Sequence, residues 1–547
     1  MKKLYVGRCL FLLIITFLFI TVNFAAYNSQ PDYSAPMSFK FTLNETDIAD
    51  TLDIIEQLET YIDNGKNFKI IKTSEELSDK IDYLSHQYLV GEMLYYADLE
   101  DEAAYERYVF SEDAYLTVCE ESQRVLKKLY LSDLPSKKKV FADWTDAELR
   151  SLSVSNKEIL DLEKEQNDLV REYLTLDNPE SEEWSVALEK IYYEYVKASQ
   201  QLARLNQYDN YYDYAANEIY MRKYTKEQRE SFRQNVKEFI LPFYIEIDSL
   251  YQSKKALLNE EQKAFFSSLR KDTCQPSNEY LTGYINSYPE DMKTCMNHLF
   301  DRDALMYTSS ENAYLTAFTN FSDYCDQPYV FLGNQSQNLL VLIHELGHYT
   351  AFYHFTDATL PYDTCEVHSQ GNEWLMLYYL DGKLDPQVYE MFLLWRLRSG
   401  LDTIILSTLV DEYEETVYTC ETLTSPEQFL SIMEDVLESY DGYESWLSKE
   451  ELYTYAQYVT IEAPVYYLSY ATSELASMSL YSIAEQQGYE TAQNLYIDLC
   501  LKTAINQVFF DTLKDVGLPN PFDADTVENI ITSFEAITSS NIVAPAA

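Results

Sequence analysis

Little in this chain interrupts regular structure. Twelve glycines and 15 prolines are spread over 547 positions, too little punctuation for an all-β chain with its frequent turns. Hydrophobic residues at 46% of that length can bury a sizeable core, so a mostly helical protein is expected. Basic residues are also scarce: 41 Lys and Arg face 90 Asp and Glu, for a net charge of −49. That sign repels nucleic acid and anionic membrane surfaces, which excludes DNA or RNA as partners, and it favours solubility. Cysteine is sparse and irregular. Cys9, Cys119, Cys274, Cys295, Cys325, Cys365, Cys420 and Cys500 form no C-x-x-C pair, which excludes a disulfide scaffold and a thiolate metal site. Buried thiols are expected with at most one bridge, Cys274 and Cys295 being the nearest pair in sequence. No repeat of fixed period and no low-complexity segment occurs. Tyrosine alone is abundant, at 50 residues; its amphipathic ring suits the wall of a wet channel, although most of them serve to half-cover helix surfaces.

The chain opens with Lys2, Lys3 and Arg8 ahead of the apolar run Leu10 to Val22, and the small residues Ala25 and Ala26 follow. This is the pattern of an export signal. The run is short for a bilayer span of ~20 residues, and no clean A-x-A site precedes the cut, so a cleaved signal over residues 1–26 and an uncleaved N-terminal anchor both remain open. Either way the protein is expected outside the cytoplasm, secreted or surface-tethered. Residues 27–40 read as a flexible tether. Beyond it, apolar residues three and four apart mark five helices between Asn44 and Tyr208, a helical N-terminal lobe over 41–205. A further long helix starts with Thr225 as its N-cap and bends at Pro242. The β-branched and aromatic runs Ala313–Phe318 and Pro328–Leu332 predict a short antiparallel pair around the loop Thr319 to Gln327.

Histidine is rare, six residues in all, yet two of them stand in the run His344-Glu345-Leu346-Gly347-His348. Residues four apart share one helix face, so both imidazoles reach one metal ion while Glu345 sits beside the open coordination position. This H-E-x-x-H pattern is that of zinc peptidases. Catalytic zinc takes a third protein ligand. The helix predicted over Asp363 to Tyr379, which begins 15 residues after His348, places Glu366, Ser369, Gln370 and Glu373 on one face. Glu366 is the candidate third ligand. Glu373, two turns on, is placed to accept a hydrogen bond from the outer nitrogen of a ligating histidine; as a lone residue it reads equally as a solvated acid.

The run DQPYVFLGNQSQNLLVLIHELGHYTAFYHF followed by CEVHSQGNEW resembles the catalytic segment of the oligoendopeptidase F and thimet-oligopeptidase family of zinc metallopeptidases. ARLNQYDNYYDYAANEIYMRKYT (203–225) resembles the segment leading into that catalytic domain, and APVYYLSYATSELASMSLY (463–481) resembles its substrate-facing tyrosine segment. The resemblance implies a catalytic domain over 206–540 and helical lobes enclosing a deep channel, with one zinc ion per chain. It implies that short unstructured peptides are the partners, that their internal bonds are hydrolysed by a zinc-activated water with Glu345 as general base, and that an edge strand beside the site pairs with the substrate. Pro464 is read as opening the helix that carries Tyr466, Tyr467 and Tyr470, phenols that the family uses toward the oxyanion. His368 and Gln370, within the matched segment, are assigned to supporting or packing the ligands from behind. Two departures stand out: Val459 and Ala351 replace histidines common in the family, neither of them a zinc ligand, so a peptide-binding relative without turnover remains an alternative. A monomer is expected. His86, His298 and His354 read as ordinary polar residues.

Overall fold

Asn44 opens the first helix with a capping box: its side chain accepts from the Thr46 amide at 2.9 Å and its own amide donates to Asp47 at 3.1 Å. The computed structural model describes residues 40–540 except 143, 145–148, 151, 153–156, 175, 177–180, 272–278, 302–303, 309, 311, 315–316, 334–337, 355–360, 421–422, 424, 444–446 and 503–507. The export signal, the tether before residue 40, and Cys9 and Cys274 therefore lie outside the described residues. Within them the fold is mostly helical with one small sheet. No helix among the described residues is long and apolar enough to cross a membrane.

The chain divides into two compact units. The first comprises Met1–Asp168, Gln201–Tyr208 and Leu299–Ser336; the second comprises Leu169–Gln200, Asp209–His298 and Gln337–Ala547. In the first unit α1 (Glu45–Asp63), α2 (Asn67–Ala97) and α3 (Glu102–Leu131) bury the predicted apolar faces, with Ile55, Leu58, Leu77, Leu84, Val118, Val125 and Leu126 closed to solvent. The predicted antiparallel pair is present as β2 (Ala317–Ser322) and β3 (Gln327–Leu332), with Phe318 opposite Phe331. Two features differ from the sequence reading. Residues 319–322, expected in the loop, extend β2, and a third strand, β1 (Leu305–Tyr307), pairs parallel with β3. The longer β2 has a tertiary cause. Ser322 bonds His86 of α2 at 3.0 Å, and Tyr96 of α2 stacks on Tyr314 with ring centroids 4.5 Å apart, so α2 holds the hairpin in place.

α2 and α3 also bury two acids together. Burial, and then the charge of Glu112, push the Glu92 carboxyl from its ordinary 4.5 up to about 8. The folded chain thus holds this proton more tightly than the unfolded one, so stability is full below the unfolded value and declines as pH climbs toward the folded value. The melting temperature of Glu92→Gln is therefore expected to gain on the parent steadily between about pH 5 and about pH 8. A difference that stays constant across that range would rule out Glu92 as the titrating group.

In the second unit Thr225 caps the helix Lys226–Asn235 as expected, in a capping box with Gln228. Just before Pro242 the chain makes a π turn over Val236–Ile240, after which it continues as the helix Leu241–Lys255. Proline has no amide to donate to the preceding turn, and the wider turn accommodates that loss. Around the candidate site stand the motif helix Leu339–His354, the returning helix Tyr362–Tyr379, the long helix Pro386–Thr419 and the tyrosine helix Leu468–Gln487. Cys295 is free, so the pairing with Cys274 considered from sequence does not form; Cys295 and Cys500 are buried thiols.

Candidate metal centre

Two helices that touch backbone to backbone position the ligands. A Cβ on Gly347 would lie 2.3 Å from the His368 carbonyl oxygen, so only glycine lets the motif helix approach the returning helix this closely. Asn372 then bridges them, donating to the Ile343 carbonyl at 2.7 Å and accepting from the Tyr284 hydroxyl at 2.5 Å. Asn338 caps the motif helix through the Val341 amide at 3.1 Å.

This packing brings together the three predicted ligands. The Nε2 atoms of His344 and His348 each stand 3.6 Å from Glu366 Oε2, and the three ligand atoms all lie within 4.8 Å of one another. Bonds of ~2.0–2.2 Å in a tetrahedron set ligand atoms about 3.4 Å apart, so the donor set fits a single zinc-sized ion. Hydrogen bonds fix two of the three donors, His344 and Glu366. His344 Nδ1 lies 2.7 Å from Glu373 Oε1, which puts the proton on Nδ1 and leaves the Nε2 lone pair facing the centre. Glu366 accepts from the Tyr466 hydroxyl at Oε1 and from Ser369 at Oε2, at 2.9 Å for the latter.

The protein's own charges tune these groups. Burial works against a charge on His344, but the Glu373 hydrogen bond and the carboxylates of Glu373, Glu366 and Glu345 outweigh it and raise the imidazole to about 9, so a metal ion taken up at Nε2 would displace a proton there. Burial, with the charges of His344 and His368, drives His348 far down, leaving a neutral ring, the form that ligates metal. Burial raises Glu366 despite its two hydrogen bonds. Glu373 is lowered although burial opposes ionisation, because Arg396 and His344 favour its charged form.

The other predicted residues separate by position. Glu345 is buried, 4% exposed, on the motif helix between His344 and His348. Tyr470 packs edge-on against Tyr466, ring centroids 5.0 Å apart, and burial together with the Glu366 charge holds its hydroxyl protonated. Tyr467 turns elsewhere and bonds Tyr455 at 3.0 Å. Gln370 accepts from Ser473 at 2.7 Å, pinning the returning helix to the tyrosine helix. His368 is fully buried, and burial lowers it to about 4. Val459 and Ala351 are both buried. Among the remaining histidines, His298 bonds the Tyr349 hydroxyl and His86 bonds Ser322. Pro464 does not open a helix: the tyrosine helix starts at Leu468, and Tyr466 and Tyr467 lie in the preceding turn. There Val465 adopts a left-handed φ of 64°, with its amide held by Glu414 at 2.6 Å, a tertiary contact that overrides the proline signal.

Two arginines of this region escaped the sequence reading. Arg222 ties the tyrosine turn to Asp363 at the start of the returning helix. Arg396, on the long helix, pairs with Glu373 at 3.1 Å. The available signal was a lone arginine inside an apolar helical run, MFLLWRL, since a buried charge requires a partner.

No protein-family model matches the chain, and no curated protein matches it in sequence. Solved structures do. PZ peptidase A, determined with an inhibitor, superposes with a TM-score of 0.71 at 15% identity over 92% of this chain and 99% of that one. A Bacillus anthracis protein assigned to oligoendopeptidase F gives a TM-score of 0.68 at 17% identity over 93% and 98%. Oligoendopeptidase-F from Enterococcus faecium gives 0.60 at 13% identity over 91% and 97%. The chain has the oligoendopeptidase F fold along nearly its whole length.

Proposed function

We propose that this protein is a zinc-dependent oligopeptidase of the oligoendopeptidase F kind, cleaving internal bonds of short unstructured peptides. The observation that carries the reading is the convergence of His344, His348 and Glu366 beside Glu345. The peptidase names of the proteins that share the fold support it.

Lewis acidity toward a peptide carbonyl and toward water is what a zinc ion held by this trio supplies. The chain's own residues do the remainder. Glu345 accepts the proton of the attacking water and delivers it to the leaving amine. Tyr470, kept protonated, donates to the developing oxyanion. Tyr466 holds Glu366 in register, and Glu373 fixes the His344 tautomer. Export to an oxidising compartment belongs to the same proposal, supported by the basic and apolar N-terminal pattern and by the disulfide in which Cys119 takes part.

The test is zinc per chain measured together with cleavage of a pool of quenched peptides of about ten residues, before and after chelation. One zinc per chain, with cleavage lost to the chelator and restored by zinc, is the expected result. Bound zinc without cleavage would favour a peptide-binding relative in which the changes to Val459 and Ala351 abolished turnover. A chain that takes up no zinc would overturn the metal reading itself.

A further inference from the structure

We infer that Arg396 and Glu474 form a clamp that positions Glu373 and thereby sets the affinity of the His344–His348–Glu366 site for its metal. The inference rests on the metal reading above and concerns groups that touch neither ion nor substrate.

Arg396 is 5% exposed and Glu474 1%. The guanidinium donates to both Glu474 oxygens, Nη1 to Oε1 at 2.7 Å and Nη2 to Oε2 at 2.9 Å, in the parallel fork that holds a carboxylate in one plane. Its Nε stands 3.1 Å from Glu373 Oε2. Trp374 completes the frame: its indole N–H donates to Glu474 Oε1 at 3.0 Å, and its ring lies 4.6 Å beneath the guanidinium carbon. Glu373 therefore lies between two partners, hydrogen-bonded to His344 at Oε1 and held at ion-pair distance by the Arg396 Nε at Oε2, where the N–H is not aligned for a hydrogen bond. Its carboxylate cannot rotate without breaking one of these contacts, and the plane of the His344 ring follows the carboxylate.

A second observation points the same way. Gly400 lies one turn along the long helix from Arg396, and a Cβ there would stand 2.2 Å from Glu474 Oε1 and 2.9 Å from Arg396 Nη1. The helix backbone is bare where the clamp crosses it. A methyl group at this position displaces the fork while leaving every charge in place. Position, separate from charge, can thus be tested.

Zinc affinity of the full chain is measured by competition with a chromogenic chelator, beside the unfolding midpoint of the zinc-free protein. The variants are Gly400→Ala, Arg396→Lys and Arg396→Met, with Arg398→Met as a control on the same helix. Gly400→Ala and Arg396→Met are expected to weaken zinc binding by about 10- to 100-fold, the usual cost of losing an outer partner of a ligand. Arg396→Lys, which keeps the charge and loses the fork, should fall between them and the parent, and Arg398→Met should bind as the parent does. If Arg396→Met fails to fold, Gly400→Ala and Arg396→Lys still decide, because neither leaves a buried charge without a partner. Unchanged zinc affinity in folded Gly400→Ala and Arg396→Lys would overturn the clamp and leave a buried ion pair of the core. Failure of the parent to bind zinc would instead refute the metal site on which the clamp depends.

Discussion

Replacing Glu345 with glutamine is expected to lower kcat/KM for any cleaved peptide by about 10²- to 10⁴-fold while zinc per chain stays at the parent's value. Glutamine has nearly the shape of glutamate and leaves His344, His348 and Glu366 untouched, but its amide takes no proton from water. The buried setting of Glu345, 4% exposed, sharpens the effect, because bulk water has little access to stand in as base. Zinc content and steady-state kinetics on one quenched peptide measure both halves. Loss of cleavage together with loss of zinc would show that the substitution damaged the site instead of removing the base. A variant that cleaves as fast as the parent would assign the proton transfer to another group.

The second large effect concerns stability. Arg222→Met is expected to cost about 3–5 kcal/mol, the usual result of removing one partner from a buried ion pair. The Arg222 and Asp363 side chains are 2% and 0% exposed, with Nε and Oδ1 3.1 Å apart. Arg222 also donates to the Val465 carbonyl at 2.6 Å and to the Tyr466 carbonyl and Ser469 hydroxyl at 2.7 Å each. Methionine leaves the Asp363 charge buried and releases the turn that holds Val465 in its left-handed conformation. The double variant Arg222→Met, Asp363→Asn should recover a large part of the loss, since no unpaired charge then remains. Denaturant midpoints of parent, single and double variants decide it; a single variant as stable as the parent would mean that water reaches Asp363. Because the same turn carries Tyr466, which bonds the candidate ligand Glu366, zinc affinity should fall along with stability.

Local signals were the readable ones. The caps at Thr225 and the five N-terminal helices appear where hydrophobic spacing and hydroxyl residues put them. Capping and helical periodicity act within one or two turns, so a single sequence window contains their whole cause. The candidate ligand set was legible for the same reason: a four-residue spacing aligns His344 with His348, and Glu366 and Glu373 fall one above the other on the next long helix. Gly347 was visible as a residue, but its function was not, because the atom that forbids a side chain there belongs to His368 on another helix.

By itself, then, the sequence determined the helical class, the acidic and helix-rich chemistry, the two candidate metal-binding histidines with their adjacent glutamate, and the face that offers Glu366. Only the tertiary structure decided the rest. Strand β1 pairs with residues some 25 positions away, Ser322 is drawn into β2 by His86 on α2, and Pro464 lies in a turn because Arg222 and Glu414 hold its neighbour. The clamp of Arg396 and Glu474 likewise joins residues 78 positions apart. In each case the deciding energy comes from a buried charge or hydrogen bond whose partner is remote along the chain. Removing that partner leaves an unsatisfied polar group, whose cost exceeds the few tenths of a kcal/mol to about 1 kcal/mol by which local propensity chooses.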